Sequence, residues 1–212
     1  MTTQLWWHVA RATGIVAWAL LASSVIVGLL LSTRLTRGRP TPAWLTDMHR
    51  FLGGTAVVFT LLHVGGLVAD TYVHFGLADL LVPLASSWRP GAVALGVVSL
   101  YLLAAIELTS LLRRRIPRSV WRRVHLTSFV LFWTATFHFL LAGSDHGHPL
   151  ARWGINITAA TVVFLTLVRI LAQRGRSAQR AARHGVSSSS RVGGAATRTA
   201  TAPGARRPRV PV

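Results

Sequence analysis

The stretch His49-Arg-Phe-Leu-Gly-Gly-Thr-Ala-Val-Val-Phe-Thr-Leu-Leu-His63 is a run of apolar and small residues with an imidazole at each end. A second run, His125-Leu-Thr-Ser-Phe-Val-Leu-Phe-Trp-Thr-Ala-Thr-Phe-His138, repeats the pattern. Ionisable side chains at membrane depth are costly and rare, so each needs a partner. Four of them at nearly matched spacing call for one shared explanation.

The chain around these runs has 212 residues, of which 51% are hydrophobic and 13% charged. That balance is unlike an ordinary soluble domain. Five apolar stretches, near 12–31, 49–69, 91–112, 120–142 and 154–172, reach the roughly 20 residues needed to cross a hydrocarbon core. The fold class expected is an all-α membrane protein, a bundle of about five transmembrane helices. The first stretch lacks a basic leader and an obvious small-residue cleavage site, so it is expected to be a retained span.

A formal charge of +18 with no lysine would suggest nucleic acid in a soluble protein. Here the arginines mark topology instead, and no nucleic-acid partner is expected. Arg34, Arg37, Arg39 and Arg50 lie between spans one and two, and Arg113, Arg114, Arg115, Arg118, Arg122 and Arg123 between spans three and four. Ten more follow from Arg169 onward, leaving only Arg11, Arg89 and Arg152 for the opposite face. The positive-inside rule then predicts an outer N-terminus and a cytoplasmic C-terminus. Tryptophans agree, with Trp6, Trp7, Trp88 and Trp153 at the outer interface and Trp44 and Trp121 at the inner one. Absence of cysteine excludes disulfides and thiolate metal sites in this chain.

Between spans two and three, Phe75 to Ala85 is too short to cross but apolar enough for a short helix along the outer interface. Residues 1–172 form the transmembrane domain of this reading. Residues 173–212, rich in Arg, Ser, Ala, Gly and Thr, are expected to be a disordered basic cytoplasmic tail that adheres to anionic lipid headgroups. No phosphate-binding glycine loop or dinucleotide fingerprint is present.

Spans two and four both start at the cytoplasmic side, so they run parallel and their histidines pair by depth. His49 is expected to face His125 at the inner level, and His63 to face His138 at the outer. At 1.5 Å per residue the layers lie about 21 Å and 19.5 Å apart on the two helices, level enough for two stacked macrocycles with iron between imidazoles. Phase is less accommodating. At about 100° per residue, fourteen residues return to within roughly 40° of one face, whereas thirteen leave His138 about 140° from His125. A π-bulge, a kink or a frayed first turn at His125 would repair this.

Trp121-Arg-Arg-Val-His125, twelve residues and His138, together with His49, thirteen residues and His63, resemble the ferric reductase-like transmembrane domain family. That family includes the membrane cores of ferric reductases and NADPH oxidases and the haem subunit of a bacterial methionine-sulfoxide reductase system. The resemblance covers about residues 5–172. It implies that His49, His63, His125 and His138 are axial ligands of two b-type haems, paired His49–His125 and His63–His138.

A haem held by two histidines has no free axial position, which favours electron transfer over ligand activation. The expected function is transmembrane electron transfer from a cytoplasmic donor to an outer acceptor, in a bacterial plasma membrane. Family reductases and oxidases continue into a flavin and nicotinamide domain that this sequence does not show, so flavin is expected on a separate partner chain and the protein as an oxidoreductase component that is not self-sufficient. Alternatives are an electron-delivery subunit for a periplasmic or extracellular oxidoreductase, and a non-redox haem sensor.

Arg50, Arg122 and Arg123 are inner candidates for pairing with haem propionates, and Arg89 and Arg152 outer ones. Glu107 is a candidate partner for an arginine or a histidine. Asp145, His146 and His148 are candidates for docking a ferric or cupric ion, within a run that also reads as a polar turn. Phe59, Phe129, Phe132 and Trp133 fall between the two layers, where aromatics more often pack than relay electrons.

Overall fold

The computed structural model describes residues 2–33, 43–71, 75–143 and 148–198, and among these it contains helices and no strand. The helices are α1 (Thr2–Thr33), α2 (Ala43–Ala69), α3 (Leu77–Leu81), α4 (Pro90–Leu111), α5 (Arg118–Leu126), α6 (Ser128–Ala142) and α7 (Pro149–Arg198). Five segments are long and apolar enough to cross a membrane: Leu5–Thr33, Ala43–Ala69, Pro90–Leu111, Arg118–Ala142 and Pro149–Arg174. The protein is therefore a multi-pass integral membrane protein, and each expected span coincides with one of these five, four lying wholly inside and 91–112 ending one residue past Leu111. Helices outrun the apolar windows. Helix α1 begins at Thr2 rather than near residue 12, because tryptophan and polar side chains at an interface continue helical hydrogen bonding beyond the hydrocarbon.

The chain divides into two units, Met1–Leu167 and Val168–Val212. In the second, the backbone remains helical to Arg198, where the sequence reading expected a tail without structure from residue 173. Ala, Arg and Gln between 172 and 183 are strong helix formers, and no proline intervenes before Pro203. The rest of the tail lies outside the described residues.

Lipid tails are as apolar as leucine, so helices in a bilayer associate by close packing and hydrogen bonds rather than by the hydrophobic effect. Helices α1 and α2 meet through small residues: Ala10 and Ala56 are buried, and a Cβ on Gly66 would sit 3.0 Å from the backbone nitrogen of Ala10. Trp18 on α1 donates its indole N–H to Thr136 Oγ1 on α6 at 3.1 Å and stacks on Phe139 at 5.3 Å. Ala22, Val25 and Leu29 of α1 pack with Phe132 of α6 and with Val162 and Leu165 of α7. Phe129 and Trp133 lie against the same cluster. Phe132 is 0% exposed, so these aromatics serve as packing.

Helix α4 starts with Pro90 at its first turn, a position where the missing N–H costs nothing. The residue before it, Arg89, adopts φ 43°, left-handed backbone that is unfavourable for a side-chain-bearing residue. Arg89 Nη1 donates to the Leu141 carbonyl at 2.6 Å, joining the start of α4 to the end of α6, and its guanidinium lies over Trp88. The expected helix after Phe75 is the five-residue α3, tied to α4 by the Tyr101 hydroxyl donating to the Leu81 carbonyl at 2.6 Å.

Gly66 and Gly65 make a test of this packing, since nothing lies within 4 Å of a Cβ on Gly65. Gly66→Ala is expected to cost about 1–3 kcal/mol by overpacking the α1–α2 contact. Gly65→Ala is expected to be neutral or stabilising by up to about 1 kcal/mol. Unfolding midpoints of the two variants in detergent check the difference.

Candidate functional site

Because α2 begins at Ala43, His49 stands inside the helix with His63 fourteen residues further along. The facing segment is not one continuous helix. It breaks at Thr127, whose N–H bonds the Val124 carbonyl at 3.0 Å, three residues back rather than four. Such a turn advances about 120° per residue instead of 100°. Thirteen regular residues fall short of full turns by about 140°, so overwinding rotates His138 in the direction that closes the gap. The distortion expected between His125 and His138 is present as a tightened turn, not a π-bulge.

With that turn in place, His49 and His125 face each other with ring centroids 5.9 Å apart and planes at 78°. His63 and His138 do the same at 6.3 Å and 76°. The four imidazoles form two pairs, as depth predicts, so α2 runs parallel to α5–α6.

Three of the four rings are seated alike. His63 Nδ1 lies 2.7 Å from the Ala10 carbonyl, His49 Nδ1 3.0 Å from the Ser24 carbonyl, and His138 Nδ1 2.7 Å from the Ala92 carbonyl. A carbonyl only accepts, so Nδ1 carries the proton and Nε2 is left with a free lone pair. Four residues after each acceptor comes a glycine, Gly14, Gly28 and Gly96. A Cβ there would stand 2.8 Å from His63 Nδ1, 3.1 Å from His49 Cε1 and 2.7 Å from His138 Cε1. The glycines are the floor on which the rings rest. Ser24 Oγ adds a contact to His49 Nδ1 at 3.2 Å. These glycines escaped sequence reading, although Gly14 and Gly28 repeat on α1 the fourteen-residue spacing of His49 and His63 on α2.

Leu103, Ile106 and Leu131, with Leu21, Val57, Leu102 and Val124 against them, form a buried aliphatic cluster whose members, Val124 apart, lie in sequence between the two histidine levels of the bundle. A cavity of about 210 Å³ runs along the second pair, with His63, His138, Gly14, Gly96 and Trp18 in its wall and Arg11 among its lining. Arg11 is thus a cation beside this pair that sequence reading assigned only to topology.

Other candidates fall elsewhere. Arg50 is exposed and 3.9 Å from Asp47; Arg122 and Arg123 are exposed on the turn before His125. Arg89 caps α4, as described, and Arg152 is exposed. Glu107 bonds neither an arginine nor a histidine among the described residues; its Oε1 lies against Gly53, 2.7 Å from where a Cβ would be. Asp145 and His146 lie outside the described residues, His148 is exposed, and no cluster of three or more metal-ligating side chains occurs among the described residues.

A metal between two imidazoles takes nitrogen bonds of about 2 Å, and each nitrogen lies roughly 1 Å from its ring centre, so the expected centroid separation is about 6 Å. Both pairs meet that condition, and the carbonyl-bonded Nδ1 atoms of His49, His63 and His138 leave Nε2 of those rings to ligate. The donor set fits a haem iron in each layer.

The family model for the ferric reductase-like transmembrane component matches residues 13–136, a span that includes Gly14, His49, His63 and His125 and stops two residues before His138. No curated protein and no solved structure matches the chain.

Gly14→Leu or Gly96→Leu is expected to push an imidazole off its carbonyl and reduce bound haem to about half, since supporting hydrogen bonds orient metal-ligating histidines. Gly54→Leu, at a position with nothing within 4 Å, is expected to leave haem content unchanged. Haem per chain in purified protein, measured as the pyridine complex, checks both.

Proposed function

The chain belongs to the ferric reductase-like transmembrane component family, which in general is a haem-containing transmembrane redox domain, and from that premise we propose that it passes electrons across the membrane through two b-type haems. Two facing imidazole pairs, stacked along one bundle at separations that suit an iron between them, carry this reading. His49 and His125 hold one haem and His63 and His138 the other. With arginines marking the cytoplasmic side, the His49–His125 level takes electrons from a cytoplasmic donor. The His63–His138 level delivers them to an outer acceptor, ferric ion or protein. A flavin reductase on a separate chain fits the donor role.

A haem held by each histidine pair would supply one-electron exchange rather than ligand activation. The protein's own residues do the rest. Carbonyls of Ser24, Ala10 and Ala92 fix the tautomer and orientation of three rings. Leu21, Leu103 and Leu131 keep water from the space between the levels. Arg11 at the outer cavity, and Arg50, Arg122 and Arg123 at the opposite end, supply cations for propionates. Outward transfer from a negative interior gains about 2.3 kcal/mol per 100 mV.

Purified protein is expected to carry two low-spin b haems per chain. His49→Ala and His125→Ala each remove one of them, and His63→Ala and His138→Ala the other. In vesicles with reductant trapped inside, the chain is expected to reduce external ferricyanide. A haem count of zero, or paired variants that remove different haems, would defeat the reading.

A further inference from the structure

Helices α1 and α2 pair antiparallel, since Gly14 meets His63 and Gly28 meets His49. Helices α4 and α6 pair the same way, since Gly96 meets His138 and Arg89 reaches Leu141. Each pair consists of a helix that seats imidazoles followed by one that bears them. Gly14 corresponds to Gly96, His49 to His125 and His63 to His138. Fourteen residues separate Gly14 from Gly28, and fourteen beyond Gly96 stands Ser110, a residue with a side chain. The fourth seat is therefore missing.

Its absence is visible at His125. Nδ1 of this ring is buried with no hydrogen-bond partner among the described residues, whereas the other three all have a carbonyl. What touches the ring instead is the Trp121 indole, stacked on it at 5.1 Å and 21°, one helical turn earlier on α5. Trp121 is anchored in turn, its Nε1 donating to Ser110 Oγ at 3.4 Å. The side chain that occupies the missing seat thus holds the tryptophan that replaces it.

We infer that Trp121 is the positioning residue for His125, standing in for the glycine-and-carbonyl seat of the other three histidines, and that the His49–His125 haem is consequently the more positive of the two in potential. A hydrogen bond from Nδ1–H to a carbonyl makes an imidazole a more basic ligand and favours ferric iron. Stacking orients the ring without that donation. One hydrogen-bonded ligand therefore serves the His49–His125 iron and two serve the His63–His138 iron, and a hydrogen bond to the far nitrogen of a ligating imidazole is one of the protein's levers on potential. This inference rests on the two-haem reading proposed above.

Redox titration of the purified holoprotein, read optically, is expected to resolve two waves, the more positive one disappearing in His125→Ala and persisting in His138→Ala. Trp121→Leu is expected to keep two haems while broadening the low-spin ferric electron paramagnetic resonance signal of one of them and moving the more positive wave. Trp121→Phe, which preserves stacking, is expected to restore the native signal. The inference is overturned if the more positive wave vanishes in His138→Ala, or if Trp121→Leu leaves both signals and both waves in place. Should His125→Ala lose both haems, the Trp121 pair decides alone, since it keeps all four imidazoles. Protein without haem refutes the two-haem reading, whereas two haems with unmoved signals refute this inference only.

Discussion

An imidazole inside a helical bundle has two nitrogens, and only one can face a metal. The other is a buried polar atom that must find a partner where water is absent, or cost the free energy of an unmade hydrogen bond. Backbone carbonyls are the acceptors at hand, yet in a helix each already accepts from the amide four residues on. A ring on a neighbouring helix approaches such a carbonyl over that fourth residue, and a Cβ at Gly14, Gly28 or Gly96 would come within 3.1 Å of the imidazole. Pairing of Ala10 with Gly14, Ser24 with Gly28 and Ala92 with Gly96 satisfies this condition three times. The close α1–α2 contact and the link from Arg89 to Leu141 keep seat helices and histidine helices at the required separation.

The same condition explains why the chain needs helices that carry no ligand. Helices α1 and α4 have no histidine facing the pairs, but without their carbonyls the rings on α2 and α6 would lack a fixed tautomer. Two helix pairs of identical order, seat then ligand, bring four rings into two layers because both ligand helices run in one direction. Aliphatic side chains such as Leu21, Leu103 and Leu131 then cluster at the intermediate level of the same helices.

Much of this was legible in the sequence, for a physical reason. Hydropathy sets where helices cross, and crossing direction sets depth, so the pairing of His49 with His125 and His63 with His138 follows without any contact being known. The phase conflict between His125 and His138 was legible as a distortion but not as a kind of distortion. A π-bulge and a tightened turn both change phase, and only hydrogen bonding at Thr127 distinguishes them. The seats were hidden because glycine in an apolar helix has many uses, from close packing at Gly66 to open surface at Gly65. Arg11 was hidden because an arginine near a helix end reads first as topology. The helix continuing to Arg198 was hidden because composition weighs a tail's lack of apolar residues above the helix-forming tendency of its Ala and Arg.

Departures from the repeated pattern are concentrated at one residue. His125 lies thirteen rather than fourteen residues from the next histidine of its span, beside the break at Thr127, with a serine at the register position where glycine stands elsewhere, with Nδ1 unpaired among the described residues and an indole against its ring. Independent accidents would scatter over four sites. With Ser110 at the register position where the other seats have glycine, His125 Nδ1 has no hydrogen-bond partner among the described residues and the ring is held from its own helix. A stacked tryptophan one turn away does that, and the tightened turn at Thr127 rotates the rest of the span so that His138 meets His63. Local rules of helix geometry and hydrogen bonding fail together where a functional group is being held in an unequal environment, and here that place is one ligand of one pair.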